Sequence, residues 1–91
     1  MAIVIKFKHL GFSRAKYHEV IKQLENAGQG NPVGRFYHVC YGSDNEVDIL
    51  DVWDNMEDFN AFGKTLIPIL AAMDVQLGEP DIQEIFGVII G

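Results

Sequence analysis

Apolar and polar positions alternate along this chain in two periods, and the switches between them mark its elements. Ala2 to Lys8 carries Ile3, Val4 and Ile5 in an unbroken run, which predicts a strand buried on both faces. His9 to Phe12 then turn the chain, with Gly11 free to take a positive φ. Ser13 is placed as an N-cap, and Tyr17, Val20, Ile21 and Leu24 recur at helical spacing, so a first helix runs to about Ala27. Gly28, Gly30 and Pro32 stop it. Gly34 to Gly42 is rich in aromatic and β-branched residues and reads as a second strand. Ser43-Asp44-Asn45 form a tight turn into a third strand, Glu46 to Asp54, and the two strands make an antiparallel hairpin.

The most informative stretch runs from Glu46 to Met73. Its first half alternates β-branched residues with acids. In its second half Phe59, Phe62, Leu66, Ile69, Leu70 and Met73 fall on one helical face. Asp54 stands at the switch as the expected helix cap, with Glu57 completing a capping-box pattern. Gly63 and Pro68 weaken this second helix, so a break or bend is expected between them. After the loop at Gly78-Glu79-Pro80, Asp81 to Ile90 reads as a fourth strand.

The order is β-α-β-β-α-β, which predicts the ferredoxin-like α+β arrangement: a four-stranded antiparallel sheet with both helices on one face. The 91 residues make a single domain, 1–91. Two helices cover one sheet face only, whereas apolar side chains fall on both. Burying one Val or Ile is worth roughly 1.5–3 kcal/mol, so a second cover is expected. The simplest is another copy of the chain, giving a homodimer through the sheet faces.

Composition narrows the partners. Apolar residues make up 48% of the chain, and the formal net charge is −6. An acidic surface repels phosphate backbones and anionic lipid surfaces, so neither nucleic acid nor membrane is expected as a partner. No apolar run approaches the ~18 residues of a membrane span, and no basic leader precedes a long apolar core. Cys40 is the only cysteine, which suits a reducing cytoplasmic setting.

The topology, the length and the uncovered sheet face resemble the dimeric α+β-barrel superfamily, and more narrowly the small proteins related to antibiotic-biosynthesis monooxygenases. The local resemblance lies in Val52-Trp53-Asp54, Glu57-Asp58-Phe59, Phe62-Gly63, Leu66-Ile67-Pro68 and Gly78-Glu79-Pro80. That superfamily includes cofactor-free monooxygenases acting on polycyclic phenols, haem-degrading enzymes, lactone isomerases, polyketide cyclases and simple binding proteins. The resemblance therefore implies a fold and leaves two function classes open. One is a cofactor-independent monooxygenase- or cyclase-like enzyme on a small apolar or aromatic compound. The other is a non-catalytic ligand-binding or structural dimer. The Asn–Trp–His set of the haem-degrading members is not carried over, because the first strand offers no Asn. Cyclase-like members use a His with a Tyr, and His38, Tyr37 and Tyr41 supply those types.

Three other families of this topology are set aside. The third strand holds four acids and so does not suit RNA. There is no C-x-x-C for a metal cargo. The glycine-rich pattern of an acylphosphatase loop around Arg14 is absent.

Individual residues each carry two readings. His38 is either a general acid or base or a hydrogen-bonded core histidine. A two-residue Asp44-Asn45 turn would set it opposite Asp51 on the face of Trp53; a three-residue turn would set it opposite Leu50. Trp53, Phe59, Phe62 and Tyr37 are candidate ligand-binding residues, Trp53 by stacking or capping a pocket; Trp53 also reads as a plug at the end of the core beside Phe59, and Phe59 and Phe62 as part of the core stripe of the second helix. The acids of the third strand need partners, and Arg35 is a candidate. Cys40 reads as a small buried hydrophobe. His9 and His18 lack metal-ligand spacing, so no metal and no cofactor are expected. If the second helix breaks near Pro68, the break would frame an apolar cavity lined by Trp53, Phe59 and Phe62, with His38 as its polar group.

Overall fold

The computed structural model describes residues 2–91. The elements are β1 (Ile3–Lys8), α1 (Arg14–Asn26), β2 (Arg35–Gly42), β3 (Val47–Trp53), α2 (Met56–Ala72) and β4 (Asp81–Glu84). All strand pairs are antiparallel, in the order β2-β3-β1-β4. This is the ferredoxin-like α+β arrangement that the sequence predicts.

Side-chain parity puts one set of strand residues under the helices. Ile3, Ile5, Phe7, Val47, Ile49 and Trp53 share a core with Val20 and Leu24 of α1 and Phe62 and Leu70 of α2. Ser13 caps α1, its Oγ accepting from the Lys16 N–H at 3.2 Å. Gly28 follows that helix with φ 78°, and its N–H donates to the Glu25 carbonyl.

The cap of α2 differs from expectation. Asn55, and not Asp54, has the capping geometry, and its Oδ1 accepts from the Asp58 N–H at 2.8 Å. Asp54 is exposed, and its N–H donates to the Gly34 carbonyl at 2.7 Å. That bond keeps Asp54 in line with the strand pair, so the chain turns into the helix one residue later. Asn55 Nδ2 in turn donates to Asp58 Oδ2, which closes a box across the first turn.

A second difference concerns Pro68. Helix α2 runs from Met56 to Ala72 without interruption, so the predicted break is absent. Pro68 and Lys64 are both exposed. The carbonyl that Pro68 leaves without a donor thus lies on the outer side, where water serves it, and one missing bond does not end the helix.

Strand β4 is also shorter than the predicted Asp81 to Ile90. It stops at Glu84 because β1, its neighbour in the sheet, begins at Ile3, and Ile3 pairs with Glu84. One further bond, Ile85 N–H to the Ala2 carbonyl, ends the contact. Beyond it Phe86, Ile89 and Ile90 are 95%, 94% and 92% exposed.

The uncovered sheet face is apolar over half its width. Tyr37, Val52, Val4 and Gln83 form one cross-strand row; Val39, Leu50, Lys6 and Asp81 form the next; Tyr41, Asp48 and Lys8 form the third. Apolar groups thus gather on β2 and β3, while the outward residues of β4 are polar, contrary to expectation. Asp48 finds Lys8 at 3.8 Å, not Arg35.

Candidate functional site

The site begins with the turn between β2 and β3. Ser43 and Glu46 exchange backbone hydrogen bonds of 3.1 and 3.3 Å around Asp44 and Asn45. This two-residue loop fixes the register so that His38 pairs with Asp51. Both side chains then point under the helices, on the face of Trp53. Further along β2 the register shifts between Arg35 and Tyr37. The extra residue, Phe36, turns outward, and Arg35 returns to the helix face, its guanidinium 5.6 Å from the Phe62 ring centroid.

A chain of polar groups crosses this part of the core. Asp51 is only 3% exposed. Its Oδ1 lies 2.5 Å from His38 Nδ1, and its Oδ2 accepts from the Trp53 indole N–H at 3.4 Å. His38 Nε2 lies 2.7 Å from the hydroxyl of Tyr17, which α1 delivers from above. The Tyr17 and His38 rings are nearly parallel, at 10°. Burial, then the neighbouring Cys40 and Asp51, push the Tyr17 phenol above its ordinary range, while Arg35 opposes them. Tyr17 therefore keeps its proton at neutral pH. With the imidazole neutral, Nδ1–H donates to Asp51 and Nε2 accepts from Tyr17. A proton arriving on Tyr17 Oη has a path to Nε2, and the imidazolium so formed faces the Asp51 carboxylate.

Two of the cavities among the described residues adjoin each other between sheet and helices. A small one of about 40 Å³ is bordered by His38, Asp51, Tyr17, Arg35 and Phe62. A larger apolar one of about 590 Å³ runs along α2 from Phe59 to Leu70, closed by Phe7, His9 and the loop residues Leu77, Gly78 and Pro80. Phe7, His9, Leu66 and Leu70 border both. The Gly63 to Pro68 segment does line an apolar cavity, although its helix is unbroken.

The predicted site residues are divided by this geometry. Phe59 lines the larger cavity and Phe62 the smaller. Trp53 borders neither: it is fully buried, 5.6 Å from the Phe59 ring and 5.3 Å from the Phe62 ring. His38 borders the small cavity only. Tyr37 and Tyr41 lie on the opposite face of the sheet, paired with Val52 and Asp48, so the tyrosine that meets His38 is Tyr17. Cys40 packs against the core, and burial raises its thiol pKa, with Asp48 adding to the effect and Arg14 opposing it. Sequence reasoning missed Tyr17, whose helical spacing marks it as core, and gave His9 a place in a turn. His9 is in fact buried, and its Nδ1 accepts from the Gly78 N–H at 3.1 Å. Burial lowers its pKa. Among the described residues no three His, Cys, Asp or Glu side chains converge as a metal site, and no helix is long and apolar enough to cross a membrane.

No protein-family model matches the chain, and no curated protein matches it in sequence. Solved structures do. SnoaB from Streptomyces nogalater, a cofactor-independent oxygenase, is similar with a TM-score of 0.62 at 17% identity, over 96% of this chain and 93% of that one. A candidate antibiotic biosynthesis monooxygenase from Deinococcus radiodurans gives a TM-score of 0.63 at 14% identity, over 99% and 97% of the two chains. One from Chloroflexus aurantiacus gives 0.61 at 18%, over 99% and 97%. The structural neighbours are antibiotic-biosynthesis-monooxygenase-like proteins of the ferredoxin-like fold. At these identities the likeness establishes the shared fold and nothing finer.

Proposed function

We propose that this chain is a small cofactor-independent enzyme, oxygenase- or cyclase-like, that moves a proton on a small apolar or aromatic compound. The observation that carries this reading is the Asp51–His38–Tyr17 chain, with bonds of 2.5 and 2.7 Å. In it Asp51 orients the imidazole, His38 receives the proton and Tyr17 is the group that meets the substrate. The likeness to a cofactor-independent oxygenase agrees with such chemistry. The working form is a two-fold homodimer joined through the open sheet face, for which the apolar rows of Tyr37, Val39, Leu50 and Val52 supply the motive.

One observation favours a second reading, ligand binding without turnover: the cavity beside His38 has about 40 Å³, room for a water and not for a substrate. One experiment separates the two. A panel of naphthols and hydroxyanthracenes is incubated in air, with oxygen uptake and absorbance followed. The enzyme reading expects turnover of at least one compound, reduced about 10²–10⁴-fold in H38Q and Y17F with the far-ultraviolet spectrum unchanged. Binding with no turnover, or turnover indifferent to both substitutions, overturns it. Light scattering at micromolar concentration tests the assembly, and a folded monomer would refute the dimer.

A further inference from the structure

We infer that the 590 Å³ cavity between α2, β1 and the loop at Gly78 is a binding site for an uncharged apolar or aromatic molecule bearing one acceptor oxygen, held by the Nε2–H of His9. This site adjoins the small cavity of the His38 relay through Phe7, His9, Leu66 and Leu70 but contains none of the relay residues, and it stands whether or not that relay performs chemistry.

The walls are hydrocarbon and aromatic: Phe7, Phe59, Leu66, Leu70 and Leu77. The volume lies within the range of roughly 300–1,000 Å³ usual for small-molecule sites. The exposed polar residues on its border, Asn60 and Lys64, stand at the rim. His9 is different. It is 5% exposed, and its ring sits between those of Phe7 at 5.5 Å and Phe12 at 5.8 Å.

Its tautomer is fixed by the backbone. Gly78 donates its N–H to Nδ1, so the neutral ring carries its hydrogen on Nε2. A side chain at position 78 would collide with the Lys8 carbonyl, so glycine is what lets that loop approach close enough to make the bond. Burial lowers the His9 pKa, which keeps the ring neutral at physiological pH. Among the described residues Nε2 has no hydrogen-bond partner. A molecule that fills the cavity takes the place of the water that serves this donor, and an oxygen on it supplies an acceptor. The single polar group in an apolar wall also sets specificity: a hydrocarbon fills the space but leaves the donor unmatched.

The test uses the full chain and two probes of one shape, 2-acetylnaphthalene and 2-isopropylnaphthalene, followed by methyl and imidazole-nitrogen NMR. The ketone is expected to shift the methyls of Leu66, Leu70 and Leu77 and the Nε2 of His9, and to bind about threefold to tenfold more tightly than the hydrocarbon. His9→Asn, whose amide oxygen can still accept from Gly78, should erase that preference while leaving hydrocarbon binding intact. Should that variant fail to fold, Leu66→Trp fills the space and should abolish binding of both probes. Equal affinities in the unaltered chain overturn the inference, as do shifts at Tyr17 and His38 in place of His9. So do leucine methyls that move on dilution without a probe, because the occupant is then a segment of a second copy. The readout is binding, so failure here is distinct from failure of turnover at His38.

Discussion

His38 Nδ1 and Asp51 Oδ1 lie 2.5 Å apart as a directly opposed pair across the β2–β3 ladder. The carboxylate serves two donors, the imidazole and the Trp53 indole, from a position almost closed to water. Its removal leaves His38 Nδ1 and the indole N–H without an acceptor.

Asp51→Ala should therefore cost about 2–4 kcal/mol of stability, somewhat below a fully buried pair because the His38 side chain is 21% exposed. Asp48→Ala, on the same strand, should cost less than about 0.5 kcal/mol, since its Oδ1 is buried with no hydrogen-bond partner and Lys8 stays 3.8 Å away. Urea denaturation of the two variants measures the contrast. Equal losses would mean that the pair at His38 contributes nothing special.

The start of α2 gives a second contrast. Asn55→Ala should cost about 1 kcal/mol through loss of the Asp58 N–H acceptor, and Asp54→Ala only a few tenths, about 0.3. Thermal melts of both variants decide which residue caps the helix.

That point shows where the sequence stops being legible. The two periods of the apolar pattern were enough to place all six elements and their order. Asp54 and Asn55 are both good caps, however, and the choice between them is made by Gly34, twenty residues away, through one backbone bond. Tyr17 lies on the same stripe as Val20 and Leu24, and spacing cannot separate a core ring from a proton donor. Its role depends on where β2 lies beneath α1. His9 follows the same rule, since its burial and tautomer come from Gly78, at the far end of the chain. The apolar run after Asp81 looks like strand throughout, and only the length of β1 tells where pairing ends. Local pattern carries the elements; contacts between distant segments carry the site.

Gly63 lies on α2 with open space beside it, where an added Cβ would meet nothing nearer than Ile67 Cδ1 at 3.9 Å. Gly63→Ala should raise stability by about 1 kcal/mol through helix propensity alone. A rise in the melting midpoint checks it. A fall would show that this stretch of helix is held in a conformation that alanine resists.

His9 gives the pH dependence. Its pKa in the folded chain is below the unfolded value of 6.5, so folding favours the neutral ring. Its contribution is complete above pH 6.5, declines as pH falls through that value, and is gone once pH is below the folded pKa. Phe7, Phe12 and Gly78 bring no charge to the ring; Lys64 on the border of the larger cavity is exposed, and Arg35, His38 and Asp51 border the smaller cavity that His9 also lines. Subtracting the pH–stability curve of His9→Asn from that of the unaltered chain isolates the effect. A flat difference between pH 7 and 5 would refute it. Carboxylates, which titrate near pH 4, enter only at the lower end of that window.

The hairpin turn has a consequence for how this protein can vary. Asp44 and Asn45 sit at the exposed tip, where Asp44 pairs with Arg14 at 3.2 Å, and neither belongs to the core. A change in length is another matter. With β3 fixed between β1 and β2, one inserted residue shifts β2 by one position, and every side chain of β2 changes sides. His38 would face outward beside Tyr37's former place, and Val39 would enter the space below Tyr17. The turn is thus open to exchange of letters and closed to their gain or loss, and a residue count at the surface keeps the proton path in being.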